Sequence, residues 1–235
     1  MRLSTLSAVL LLAPTLASAE PWSGEIAAGF LATSGNSETR SVNGKAALVY
    51  EQAPWKNTLL GTALGSSDSE SSTAERYTVA NKLDYNFSEH DYLFASVEWE
   101  KDLFGGVRER TSETVGYGRN VLTGPVHTLD LEIGVGARQT EENVTGIRED
   151  DLIGRFAGKY GWAISETSSF AQTLKVETGD SNTFTESVSE LKLTIVGNLN
   201  AMLSYTVRNN SDVPAGTEKT DSFTAINLAY GFGKS

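Results

Sequence analysis

Cysteine is absent from the 235 residues, so disulfide staples and thiolate metal sites are excluded. Histidine occurs only as His90 and His127, which leaves little material for an imidazole base or ligand. Beyond the first twenty residues, no apolar run approaches the roughly 18 residues an α-helix needs to cross a bilayer. Basic residues are in the minority. Lys and Arg number 19 against 30 Asp and Glu, a formal charge of −11. Nucleic acid, which demands basic surface over its phosphates, is thereby excluded as a partner. Apolar residues make up 39%, below the usual globular share. The length suits one domain or one large barrel.

The chain opens on a distinct device. Arg2 gives a positive start, Leu3 to Leu16 is apolar, and Ala17-Ser18-Ala19 has small residues at both positions of an A-x-A cleavage site. There is no lipobox Cys and no twin Arg. Residues 1–19 are expected to be a Sec signal peptide cut after Ala19. Residues 20–235 then form the exported domain, with a charge of −12 once Arg2 is removed.

The exported part is written in period two. Tyr77, Val79, Asn81, Leu83, Tyr85 and Phe87 alternate with Thr78, Ala80, Lys82, Asp84 and Asn86. Leu129, Leu131, Ile133, Val135 and Ala137 alternate with Asp130, Glu132, Gly134, Gly136 and Arg138. Leu199 to Val207 repeats the pattern. Successive strand side chains point to opposite faces, and no helical spacing fits. About twelve strands follow, at 22–33, 41–51, 55–65, 75–87, 92–101, 111–122, 128–139, 149–163, 169–178, 184–195, 199–209 and 219–232. Most reach ten residues, the length of a tilted membrane-crossing strand rather than a soluble one. Two segments read less simply. Residues 55–65 fit either Leu59 and Ala63 or Leu60 and Leu64 outward, and 111–122 puts Glu113 and Arg119 on the outer face.

Connections after even strands are short, as at Gln52-Ala53-Pro54. Those after odd strands are longer and polar: Ser66 to Thr73, Asp102 to Arg110, Thr140 to Arg148 and Asn210 to Glu218. Outer-membrane barrels sort loops this way, with short periplasmic turns and longer outer loops. Trp22, Tyr50, Trp55, Phe87, Tyr92, Trp162 and Phe170 fall at the inferred periplasmic ends. Phe30, Tyr77, Trp99 and Phe104 fall at the outer ends. These are the positions of two aromatic girdles. The expected fold class is therefore all-β, a transmembrane antiparallel up-and-down β-barrel of about twelve strands.

The last strand ends on alternating Thr224, Ile226, Leu228, Tyr230 and Phe232. This resembles the signal read by barrel-assembly machinery, with Gly233-Lys234-Ser235 following the final aromatic. The start Trp22-Ser23-Gly24-Glu25, the pair Gly29-Phe30 and the tip Thr33-Ser34-Gly35-Asn36-Ser37-Glu38-Thr39 resemble the salt-induced outer membrane protein family, the YdiY-like group. The resemblance implies a barrel in the outer membrane of a Gram-negative bacterium, in contact with its lipid and lipopolysaccharide. It brings no catalytic or binding residues. The Ser34-Gly35-Asn36-Ser37 tip itself reads as a tight reversal, with Gly35 and Asn36 tolerating positive φ.

No reaction chemistry stands out. Serines fill the loops, yet neither histidine is placed to activate one, and a nucleophile without a positioned base is weak. Catalytic, cofactor and metal residues are all expected to be absent. The acidic stretches Glu149-Asp150-Asp151 and Asp68-x-Glu70 lack the glycine punctuation of a cation loop. Gly116-Tyr117-Gly118 and Gly134-Val135-Gly136 lie inside strands, so they are no dinucleotide fingerprint. They mark a bend of the wall or room for a lumen side chain.

The lumen carries the charges of interest. Inward positions hold Lys45, Arg76, Lys82, Arg138, Arg155, Lys159, Lys175, Lys192 and Arg208. Against them stand Glu25, Asp84, Glu98, Glu100, Asp130, Glu132, Glu177 and Glu190. The interior is nearly balanced, so the acidity sits on the mouths. The expectation is a non-enzymatic barrel forming a narrow channel for small solutes or ions, with a modest cation preference. A structural barrel with a plugged lumen is the alternative. An outer-membrane lipid hydrolase or a soluble periplasmic barrel for an apolar ligand fits less well. Nothing in the sequence sets the oligomeric state.

Overall fold

The computed structural model describes residues 21–33, 39–68, 72–105, 107–143 and 145–233. Within them lie twelve strands and no helix: β1 (Trp22–Thr33), β2 (Thr39–Gln52), β3 (Trp55–Asp68), β4 (Ser72–Asn86), β5 (Asp91–Asp102), β6 (Val107–Thr123), β7 (His127–Glu142), β8 (Arg148–Ser165), β9 (Ser168–Thr178), β10 (Thr183–Val196), β11 (Leu199–Asn210) and β12 (Thr220–Gly233). Each strand pairs antiparallel with its sequence neighbours, and β1 pairs with β12. Closure leaves no unpaired edge, which is what a bilayer requires of a sheet. The signal segment 1–19 and the tip Ser34-Gly35-Asn36-Ser37 lie outside the described residues.

Alternation decides which solvent each side chain meets. Ile26, Val79, Val97, Val115, Ile133, Leu203, Ile226 and Leu228 all stand exposed on the outer wall, with Ile133 at 65% and Ile226 at 67%. A soluble protein does not carry so extensive an apolar exterior, whereas hydrocarbon is its natural solvent. The barrel is a transmembrane one. Trp22 packs on Tyr50 with ring centroids 4.7 Å apart, and Trp55 on Tyr85 at 4.9 Å, all at the short-turn end. Trp99, toward the other end, donates its indole N–H to Glu109 at 2.9 Å.

Segments between strands are two to four residues at one end and three to nine at the other. The sorting is as expected, but the longer segments are shorter than the sequence suggests. Ser66 to Thr73, Asp102 to Arg110 and Thr140 to Arg148 read as loops; in fact β3 runs to Asp68, β4 starts at Ser72, β6 at Val107 and β8 at Arg148, and β7 ends at Glu142. Both faces are polar there, so the hydrophobic alternation vanishes while the backbone ladder continues. Tyr92 is a second correction. It turns into the lumen and is buried rather than joining the girdle. In β3 the outward pair is Leu59 and Ala63, because Leu60 and Leu64 line the interior. Glu113 and Arg119 do face outward, and Arg119 meets Asp91 at 3.0 Å beside the short turns.

Candidate functional site in the barrel lumen

The inner wall of β5 to β7 is shaped by glycine. Gly118 and Gly116 of β6 are the cross-strand partners of Tyr92 and Phe94 of β5. A Cβ on Gly118 would stand 2.2 Å from the Tyr92 ring, and one on Gly116 would stand 2.8 Å from the Phe94 ring. Gly134 of β7 borders the same Phe94 ring. Gly116, Gly118 and Gly134 therefore hold the space that two lumen rings fill, whereas Gly136 stands against the β6 backbone at Glu113 and Thr114. Lys82 lies 4.8 Å over the Tyr92 ring and Arg155 lies 5.6 Å over Phe94, so cations cap this ledge.

The charged positions singled out by alternation project inward, and most meet an opposite charge. Lys45 reaches Glu190 at 2.5 Å, and Lys192 pairs with Glu25. Lys82 holds Asp84 at 2.8 Å and also Glu132. Glu132 in turn lies 3.4 Å from Arg155 and accepts a hydrogen bond from Tyr92 at 3.0 Å. Arg155 lies 3.7 Å from Glu177. Lys175 meets Glu98 at 2.6 Å and Glu186 at 3.7 Å. Arg138 donates to Asp151 at 2.8 Å, and Arg76 donates to Asp102 through Nε at 2.6 Å. Arg208 pairs with Glu100 and lies 3.0 Å from Glu186. Asp130 and Lys159 line the open hollow at the short-turn end.

Five of these pairs join strands that are not neighbours: Glu100 with Arg208 six strands apart, Glu98 with Lys175 and Lys45 with Glu190 four apart, and Lys192 with Glu25 and Lys82 with Glu132 three apart. Above them, toward the longer loops, Phe184 is sealed among Arg110, Arg208 and Lys175, whose charges lie 3.7, 4.9 and 5.3 Å from its ring. Arg138, Phe184, Met202 and Glu177 are each under 2% exposed. With Glu100, Arg110 and Ser112 also buried, the inner wall from β5 to β10 is packed at the level of Phe184, whereas Met202 lies on β11 nearer the short turns and lines the second hollow. Sequence reading missed Arg110, Asp102, Asp151, Glu186 and Phe184. Arg110 fell in a presumed loop, although the inward parity of Ser112 and Thr114 points back to it.

Packing on one side leaves space elsewhere. A hollow of about 400 Å³ opens at the short-turn end, lined among others by Glu51, Lys56, Asn86 and Asn120. A second, of about 210 Å³, runs toward the other mouth past Asn43, Leu64, Arg76 and Phe223. Leu60, Ala80 and Glu98 line both hollows. The two hollows meet there, and a path joining them would have these residues as its neck.

The profile of a family described as "Protein of unknown function, DUF481" matches residues 26–232, nearly the whole described barrel. The chain belongs to the DUF481 family. It is 31% identical over 212 residues to "Uncharacterized protein YdiY" of Escherichia coli (strain K12), covering 90% of this chain and 83% of YdiY. The expected YdiY-like resemblance therefore stands. Among solved structures the DUF481 barrel is similar to the NanC porin, with a TM-score of 0.54 at 11% identity, covering 90% of this chain and all of that one. The KdgM porin matches at a TM-score of 0.47 and 9% identity, over 91% and 99% of the two chains. The NanC likeness shows a shared barrel fold.

His90 sits in the turn after β4. His127 stands against the Tyr160 hydroxyl at 2.9 Å at the barrel's end. Among the described residues no serine hydroxyl bonds to either imidazole ring, and no cluster of three His, Asp or Glu could hold a metal ion.

Proposed function

We propose that the protein is a non-enzymatic outer-membrane barrel that passes small ions or solutes along a narrow, off-centre lumen. One observation carries this reading: the two hollows, lying toward opposite mouths, share the lining residues Leu60, Ala80 and Glu98. A twelve-strand ring lies between barrels just filled by side chains and those with a wide aqueous channel, so partial filling suits it. Loop sorting supports placing the short turns in the periplasm, with the chain exported after cleavage at Ala19 and inserted by barrel-assembly machinery. Lipid and lipopolysaccharide then meet the outer wall. The excess acid outside the lumen supports a modest cation preference. A link to salt or osmotic stress rests on the family resemblance.

A plugged structural barrel is the second reading, favoured by the near-complete burial of Arg138, Phe184, Met202 and Glu177. Purified protein in a planar bilayer separates the two. Small, well-resolved conductance steps are expected. Absence of steps from protein that migrates as a folded, heat-modifiable band would overturn the channel reading in favour of the plug.

A further inference from the structure

Every solute passing between the hollows must pass the neck. Leu60 and Ala80 bring no charge to it, and Glu98 does. Among the neighbouring lumen acids, Glu100 and Glu177 are closed off, with side-chain exposures of 4% and 2%, and Glu186 and Glu190, at 26% and 23%, line only the second hollow. Glu98 keeps 22%. Its partner Lys175 is only 8% exposed and lines neither hollow. The ammonium contacts both carboxylate oxygens, at 2.6 and 2.7 Å, from the packed side, and it lies 5.3 Å from the Phe184 ring. The pair is therefore oriented, with negative charge toward the path and positive charge sealed behind it. A passing ion is nearer to the carboxylate, so the neck attracts cations despite the pair's neutrality.

We propose that Glu98 is the selectivity-determining residue of this lumen, favouring small inorganic cations at the neck, and that Lys175 sets the strength of that preference from behind. The proposal rests on the channel reading above. Neutralising Glu98 does not strand its partner, because Glu186 lies 3.7 Å from the Lys175 ammonium. Removing Lys175 leaves a carboxylate that already reaches the open hollow. Neither change isolates a fully buried charge, the case that most damages a fold.

The test is the reversal potential of the full mature chain in a planar bilayer under a KCl gradient, with folding of each variant checked by heat-modifiable mobility. Glu98→Gln is expected to lower the K⁺ to Cl⁻ permeability ratio about tenfold, because one unit charge at roughly 6 Å in water changes cation and anion occupancy about threefold each, in opposite directions. Lys175→Gln should raise the ratio by a smaller factor, because the ammonium lies farther from the path, and Glu98→Asp should leave it near wild type. Conductance with an unchanged ratio in Glu98→Gln and Lys175→Gln, or with both ratios moving the same way, overturns this inference while the channel reading stands. A wild-type protein without conductance overturns both.

Discussion

Glu100 on β5 and Arg208 on β11 form an ion pair across the whole lumen, six strands apart in a ring of twelve. Arg110 approaches the same carboxylate at 3.2 Å from the adjacent strand, and all three side chains are 7% exposed or less. An acid held between two arginines ties opposite walls together. Burying ions costs several kcal/mol each, and only mutual pairing offsets this, so removing the shared acid should cost more than removing one base. Glu100→Gln is expected to destabilise the barrel by about 3–5 kcal/mol. The double change Glu100→Gln with Arg208→Met should cost less than the sum of the single ones. Urea unfolding from lipid vesicles measures both. Additive costs would mean the pair is not coupled.

The glycine ledge makes a second prediction. Gly118→Ala drives a methyl group into the Tyr92 ring, 2.2 Å from its nearest atom. Overpacking of this kind costs about 1–3 kcal/mol. In a Tyr92→Ala background the same change should cost almost nothing, because the ring it strikes is gone. An equal cost in both backgrounds would show that the backbone, not the ring, needs the glycine.

The outer wall gives a third. Ile133 lies at the centre of the outward row from Leu129 to Ala137, so Ile133→Arg should cost about 2–4 kcal/mol in vesicles. Arginine at Thr58, which lines the first hollow, should cost under about 1 kcal/mol because water already reaches it. Equal costs would contradict the assignment of faces.

Blocking the neck makes a fourth. Ala80→Trp points an indole into the passage between the hollows and should reduce single-channel conductance to a small fraction of wild type. Gly61→Trp places the same ring where nothing lies within 4 Å of a built Cβ, on the outward face. Conductance there should be unchanged. Full conductance in Ala80→Trp would move the path away from Leu60, Ala80 and Glu98.

Several features were legible before any coordinates. The rows Tyr77 to Phe87 and Leu129 to Ala137 mark strands with one face in lipid, because hydrocarbon tolerates only apolar side chains and the strand period is two. Lys45, Lys82, Arg138 and Arg208 could be placed inside on the same ground. The alternation failed where lipid stopped acting on it. Above the bilayer both faces are polar, so the outer reaches of β3 to β8 pass for loops, and Arg110 and Asp102 with them. Tyr92 was read as a girdle ring because an aromatic near a strand end suits either face. Its parity with Phe94, Glu98 and Glu100 sends it inward, and Gly118 leaves room for its ring.

The sequence by itself determined a closed, lipid-facing barrel of twelve strands with a charged, nearly balanced interior, because backbone satisfaction and hydrocarbon exposure are enforced strand by strand and leave a local trace. Tertiary structure alone decided which charges meet. Glu100 with Arg208, Glu98 with Lys175 and Lys45 with Glu190 lie 108, 77 and 145 residues apart in the chain. Their meeting depends on barrel closure and on the tilt and stagger of its strands, which bring distant inward positions to one level. The same closure packs Phe184 and Arg138 against one side of the lumen and leaves the two hollows, both lined by Glu98, along the other.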